Sequence, residues 1–115
     1  MSPICYNQVM DEQIEIEYYK ADNGKSPYLE WEAKLPIELR ALIRKRLNRV
    51  RLGNFGDFDH IRGGLFELRF HMGAGYRIYY CKKGKKIVIL LSGGDKGSQK
   101  KDISKAEKFM DDCLN

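Results

Sequence analysis

Leu65-Phe66-Glu67-Leu68-Arg69-Phe70-His71-Met72-Gly73-Ala74-Gly75-Tyr76-Arg77-Ile78-Tyr79-Tyr80 reads as two strands joined by a turn. Phe66, Leu68 and Phe70 alternate with Glu67, Arg69 and His71 in the first half, and Tyr76, Ile78 and Tyr80 alternate with Arg77, Tyr79 and Cys81 in the second. Such period-two alternation is the signature of a strand with one apolar face. For the two apolar sets to share a face, the register must keep parity across the turn, and a hairpin centred on Gly73 does so. It pairs Arg69 with Arg77, Leu68 with Ile78 and Phe70 with Tyr76. Two cations directly opposite on one face repel, so this register asks for an anion between them, with Glu67 or a phosphate as candidates.

The flanking sequence supplies the rest of an α+β pattern. Ile14, Ile16 and Tyr18 alternate with Glu15 and Glu17, which predicts an opening strand over 14–19. Ser26 followed by Pro27 is a helix start, with Leu29, Trp31 and Leu35 on a short helix. A longer helix begins at Pro36; its apolar positions Leu39, Leu42, Ile43, Leu47 and Val50 recur every three or four residues, and Gly53 is its stop. Arg40, Arg44 and Arg51, with Lys45 and Arg49 beside them, form a basic stripe that is either a solvated helix face or a track for a phosphate backbone. A short segment over 57–62 and Gly63-Gly64 lead into the hairpin.

After the tight turn at Lys82-Lys83-Gly84-Lys85, the run Ile87-Val88-Ile89-Leu90-Leu91 reads as a strand buried on both faces. Ser92-Gly93-Gly94-Asp95-Lys96-Gly97-Ser98 then reads as a glycine-rich loop, a candidate anion cradle containing Lys96. It lacks the Gly-x-x-x-x-Gly-Lys-Ser/Thr order of a nucleotide-hydrolase loop. Ile103, Ala106, Phe109, Met110 and Leu114 place a final helix behind it.

Length and composition bound the answer. The 115 residues, 43% of them hydrophobic, suffice for one domain over 1–115 with one core. No apolar run reaches the roughly 20 residues of a membrane span and no signal peptide is evident, so the expectation is a cytoplasmic protein without membrane contact. Cys5, Cys81 and Cys113 are scattered, without the spacing of a disulfide framework or a metal site, so no metal and no cofactor is expected. Residues 1–35 carry three lysines against seven acids, whereas residues 36–115 carry eighteen Lys or Arg against nine acids. A basic body of this kind attracts polyanions, and nucleic acid is the commonest of them.

Three motifs in order, Ile61 to Phe70, Gly75 to Tyr80 and Leu91 to Ile103, resemble the RelE/ParE toxin superfamily, and most of all its HigB-like addiction-module killer proteins. The resemblance spans roughly residues 36–110. It implies a RelE-like fold: a small, twisted, mainly antiparallel sheet of four to five strands, with two N-terminal helices packed on it and a C-terminal helix. It implies a type II toxin that cuts messenger RNA on the ribosome, and a helix-turn-helix antitoxin that carries the pair to operator DNA. ParE-like members instead inhibit DNA gyrase, and a decayed toxin would retain only antitoxin binding.

Metal-free RNA cleavage uses the 2′-hydroxyl as nucleophile, so the protein has to accept its proton and stabilise the phosphorane. Arg69 and Lys96 match the family's basic positions for that charge. Arg77 matches the basic position of the Tyr-Arg strand, where an ion pair with Glu67 is the rival reading. The general base departs from the family pattern, because Ile103 stands where RelE-type members have tyrosine. His71 and Asp102 are the candidates for that role, and Tyr79 is a candidate for stacking on a base.

Overall fold

The computed structural model describes residues 13–114. Cys5 and the start of the acidic stretch at Asp11 lie outside the described residues. The elements run β1 (Glu15–Tyr18), α1 (Pro27–Ala33), α2 (Ile37–Arg51), β2 (Phe58–Arg62), β3 (Leu65–Phe70), β4 (Tyr76–Lys83), β5 (Ile87–Gly94), a 3-10 turn (Lys96–Ser98) and α3 (Gln99–Leu114). The strands form one sheet of order β1-β5-β4-β3-β2. It is antiparallel except at one edge, where β1 runs parallel to β5. The α+β architecture is therefore as expected. No helix among the described residues is long and apolar enough to cross a membrane.

The hairpin has the register that its alternation demands: Arg69 faces Arg77, Leu68 faces Ile78 and Phe70 faces Tyr76. Gly73 and Gly75 adopt φ of +53° and +72° in the turn, a backbone region that a Cβ disfavours. Leu68, Phe70, Ile78, Tyr80, Val88 and Leu90 then share one face and meet Tyr28 of α1 and Leu39, Ile43, Leu47 and Val50 of α2. Full burial of a side chain of this size contributes about 1.5–3 kcal/mol, so this layer is the main source of stability.

A second core lies on the other face, as the two-sided burial read for 87–91 requires, but the alternation of the hairpin did not contain it. Leu65, Tyr79, Cys81, Ile89 and Leu91 are buried there beneath α3, whose Ala106 is fully enclosed with Ile103, Phe109, Met110 and Cys113 around it. The cover is incomplete: it shields the Cys81 end of β3 and β4 and leaves the Arg69–Arg77 end open to a cavity. A polar-looking face is thus half core and half site.

Three local expectations need correction. Leu42 is 42% exposed while Arg46 is buried, so the buried stripe of α2 includes an arginine in place of a leucine. In α1 the buried residues are Tyr28 and Glu32, with Leu29 exposed, because the Tyr28 hydroxyl donates to Glu32 (2.6 Å), which also accepts from Arg44 (2.8 Å). The presumed loop Ser92-Gly93-Gly94 is strand: β5 continues through it after a bulge opposite Tyr79 and Tyr80. The glycines are there for close approach. A Cβ on Gly93 would lie 2.2 Å from the Trp31 ring, and one on Gly94 would lie 1.8 Å from the Asp102 carboxylate.

Candidate functional site

The open end of the second face is a cavity of about 440 Å³ lined by strand ends and turns: Arg69 to Gly75, Tyr76, Arg77 and Lys96. It collects four of the five residues assigned to catalysis from the sequence: Arg69, His71, Arg77 and Lys96. Each arrives for a local reason. Arg69 and Arg77 are opposed by the hairpin register, and His71 is the first residue past β3. Lys96 is brought in because β5 pairs Gly94 with Arg77 and the Lys96 amide then donates to the Ala74 carbonyl of the turn (3.2 Å).

The carboxylate that the opposed arginines call for is Glu67. Its Oε2 lies 3.0 Å from Arg77 Nη1 and 3.9 Å from Arg69 Nη1, and its Oε1 accepts from Gln99 at the start of α3 (3.3 Å). Glu67 is 2% exposed, and the Arg77 side chain 14%. Arg77 is therefore the inner, ion-paired cation of the two.

Arg69 is more open and faces outward into a carboxylate pair that the sequence reading did not foresee. Asp57 Oδ1 accepts from Arg69 Nη2 (2.9 Å) and Nε (3.3 Å), and Asp59 Oδ2 accepts from Nη1 (3.5 Å). The other oxygen of Asp57 is hydrogen-bonded to His71 Nε2. His71 and Arg69 together hold the Asp57 carboxyl below the ordinary carboxylate range, and Asp57 in turn raises the Arg69 guanidinium. Among the described residues, no carboxylate lies within salt-bridge distance of the Lys96 ammonium. Among the described residues the cavity therefore has one unopposed cation, one cation shared with part-exposed surface carboxylates and one held against Glu67.

A buried arginine fixes this arrangement. Arg46 of α2 donates from Nε to the Phe55 carbonyl (2.9 Å), from Nη1 to the Arg69 carbonyl (2.9 Å) and from Nη2 to the Asp57 carbonyl (2.5 Å), with its guanidinium over the Phe70 ring. Its planar fork joins the loop after α2 to the end of β3, and burial draws its pKa down. Gly56, at φ +67°, passes so close that a Cβ there would meet Arg46 Nε at 2.9 Å. Neither Asp57 nor Arg46 carried a sequence signal beyond its charge. The one available clue was the Asn54-Phe55-Gly56 turn, which returns the chain across the helix end.

The remaining candidates lie elsewhere. Asp102 accepts from the Ser98 hydroxyl (2.5 Å), packs on Gly94 and lines a different cavity, with Trp31, Lys105 and Phe109. Tyr79 does not present its ring to solvent as expected: it is fully buried beneath α3, and burial pushes its phenol pKa up. The backbone amides of the supposed anion cradle are already occupied, since Asp95 Oδ1 accepts from Gly97 N (2.9 Å) and Ser98 N (3.2 Å). The stripe of α2 is on the layer opposite the cavity. Arg44 is bound to Glu32, Arg51 donates to Asn48 (2.8 Å), and among the described residues the buried Nε of Arg40 has no hydrogen-bond partner. Lys45 and Arg49 are exposed. A nucleic-acid strand in contact with both the stripe and the cavity would have to pass around the end of the sheet.

A compact α+β protein with a small cationic cavity at a hairpin end is the class that this geometry defines. The family model described as phage derived protein Gp49-like (DUF891) matches residues 30–111, which include every residue of the cavity. The chain belongs to this family, a RelE-like toxin family of addiction modules. It is similar to an uncharacterized protein of Haemophilus influenzae, at 45% identity over 78 residues, 67% of this chain and 79% of the relative.

Proposed function

We propose that this chain is the toxin of a HigB-like type II toxin–antitoxin pair, with a RelE-like fold acting as one domain, and that it cleaves messenger RNA on the ribosome in the cytoplasm. The observation that carries the reading is the convergence of Arg69, Lys96 and His71 on one cavity of nucleotide size. Proton transfer and charge stabilisation are the two tasks of 2′-hydroxyl attack, and these side chains supply both. Lys96 and Arg69 bind the scissile phosphate, the latter exchanging Asp57 and Asp59 for it. His71 accepts the 2′-hydroxyl proton. Arg77, held by Glu67, sets the position of the strand carrying Arg69, and Asp102 holds the turn carrying Lys96 through Ser98. Lys45 and Arg49 add ribosomal RNA contacts from the opposite layer. The partner is a helix-turn-helix antitoxin that covers the cavity or blocks ribosome entry.

Tightly controlled expression tests this reading. The wild type should arrest growth and generate codon-phased messenger RNA 5′ ends, and Arg69→Ala and Lys96→Ala should do neither. Arrest with intact RNA and broken DNA would replace the nuclease with a gyrase inhibitor. Normal growth with well-expressed protein would leave a binding-only module, the outcome favoured if the carboxylates around Arg69 never yield to a phosphate.

A further inference from the structure

We propose that Asp57 is the positioning residue for His71: its carboxylate holds the imidazole through Nε2 and so leaves Nδ1 as the atom that takes the 2′-hydroxyl proton. This role rests on the RNA-cleaving reading above. Asp57 has no place in the sequence motifs, and its part in the site comes from three geometric facts.

First, the carboxylate has one oxygen for each partner. Oδ2 engages His71 Nε2 while Oδ1 engages Arg69, so the His71 contact persists when Arg69 turns to the phosphate. Second, the residue is held at its backbone. Its carbonyl accepts from Arg46 Nη2 (2.5 Å) and from the Arg69 amide (2.9 Å), which anchors the loop to β3 from both sides. Third, His71 needs such a partner. It is three-quarters exposed and lies past the end of β3. An exposed histidine with a free ring samples many rotamers, whereas a carboxylate fixed in the loop just before β2 restricts both rotamer and tautomer. The low pKa of Asp57 agrees, since it keeps the carboxylate ionised and ready to face an imidazolium. The other charged groups around the pair are Arg46, Asp59, Glu67, Arg69, Arg77 and Lys96.

In the step itself, the 2′-oxygen gives its proton to His71 Nδ1 and forms a bond to phosphorus, and the bond from phosphorus to the 5′-oxygen breaks. The leaving oxygen takes a proton from the Lys96 ammonium, which solvent restores. The products are a 2′,3′-cyclic phosphate and a 5′-hydroxyl. Asp57 itself gains no proton; it offsets the charge that appears on the imidazole.

Asp57→Asn tests the assignment, because the amide keeps the size of the carboxylate while its NH₂ can donate to Nε2 and turn the ring toward the Nδ1–H tautomer. On programmed ribosomes, Asp57→Asn should lower kcat about tenfold or more, His71→Ala about a hundredfold, and the double variant no further than His71→Ala alone. Ring-nitrogen NMR should show the tautomer change at His71 and none at His60. Independent, multiplying losses for the two substitutions would overturn the proposal, as would an unchanged tautomer. If the wild type cuts no ribosome-bound RNA, the nuclease reading falls and the role falls with it; if the wild type cuts and Asp57→Asn cuts equally well, only the Asp57 assignment falls.

Discussion

Arg46→Met removes the fork that joins α2, the 54–57 loop and the end of β3 while keeping an unbranched side chain against Phe70. Three carbonyls lose a donor: those of Phe55, Asp57 and Arg69. The Asp57 carbonyl still accepts from the Arg69 amide, so two acceptors are left unsatisfied. At about 1–3 kcal/mol for each orphaned acceptor, the loss is about 4 kcal/mol, and removing a buried charge returns part of it. A net loss of about 3 kcal/mol remains, a large fraction of the total stability of a small domain. At the lower end of the usual 4–8 °C per kcal/mol, Tm falls by about 12 °C. Urea unfolding followed by Trp31, the single tryptophan, measures it. Arg46→Lys should recover little, since an ammonium cannot reproduce the planar fork. A Met variant within about 1 kcal/mol of the wild type would refute the clamp and, with it, the reason Asp57 is held where it is.

Further outcomes follow from single contacts. Glu67→Ala strands the Arg77 guanidinium in a buried setting and should cost about 3–5 kcal/mol in urea unfolding, whereas Asp59→Ala, at an exposed pair, should cost under about 1 kcal/mol. Gly93→Ala forces the Trp31 ring out of its seat and should cost about 1–3 kcal/mol with a visible change in tryptophan fluorescence. Asp57 has a folded pKa below its unfolded one, so its stabilisation is present above the ordinary carboxylate value of about 4 and is lost as pH falls through the folded value. The gap in Tm between the wild type and Asp57→Asn should accordingly close on acidification below about pH 4. A gap that widens as the pH falls below about 4 would contradict the depressed value.

The hairpin was legible because its alternation, its turn glycines and its like-charged pair all constrained one register. Glu67 was legible with it, since opposed arginines require an anion. The second core was harder to read. Leu65, Tyr79 and Cys81 share a face with Glu67, Arg69 and Arg77, and period-two reasoning assigns a whole face to one environment. It cannot show that a helix sixteen residues long covers only half of it. The same limit misplaced Tyr79. The glycine pair at 93–94 was misread as loop because a bulge in β5 moves it into the sheet, where each glycine admits a neighbouring side chain. Arg46 and Asp57 were invisible for a different reason: their meaning lies in three backbone carbonyls and one imidazole that only the folded chain brings together. The basic stripe of α2 was correctly located on a helix, yet nothing in a linear pattern tells on which side of a sheet a helix packs.

Purified protein mixed with programmed ribosomes and a defined messenger RNA, with 5′ ends mapped by primer extension, decides whether the protein cuts messenger RNA on the ribosome. Cleavage should need the ribosome, leave a 5′-hydroxyl end and disappear in Arg69→Ala and Lys96→Ala proteins that remain folded. Cleavage that persists in both folded variants, or a wild type that leaves the ribosome-bound message intact, would contradict that expectation.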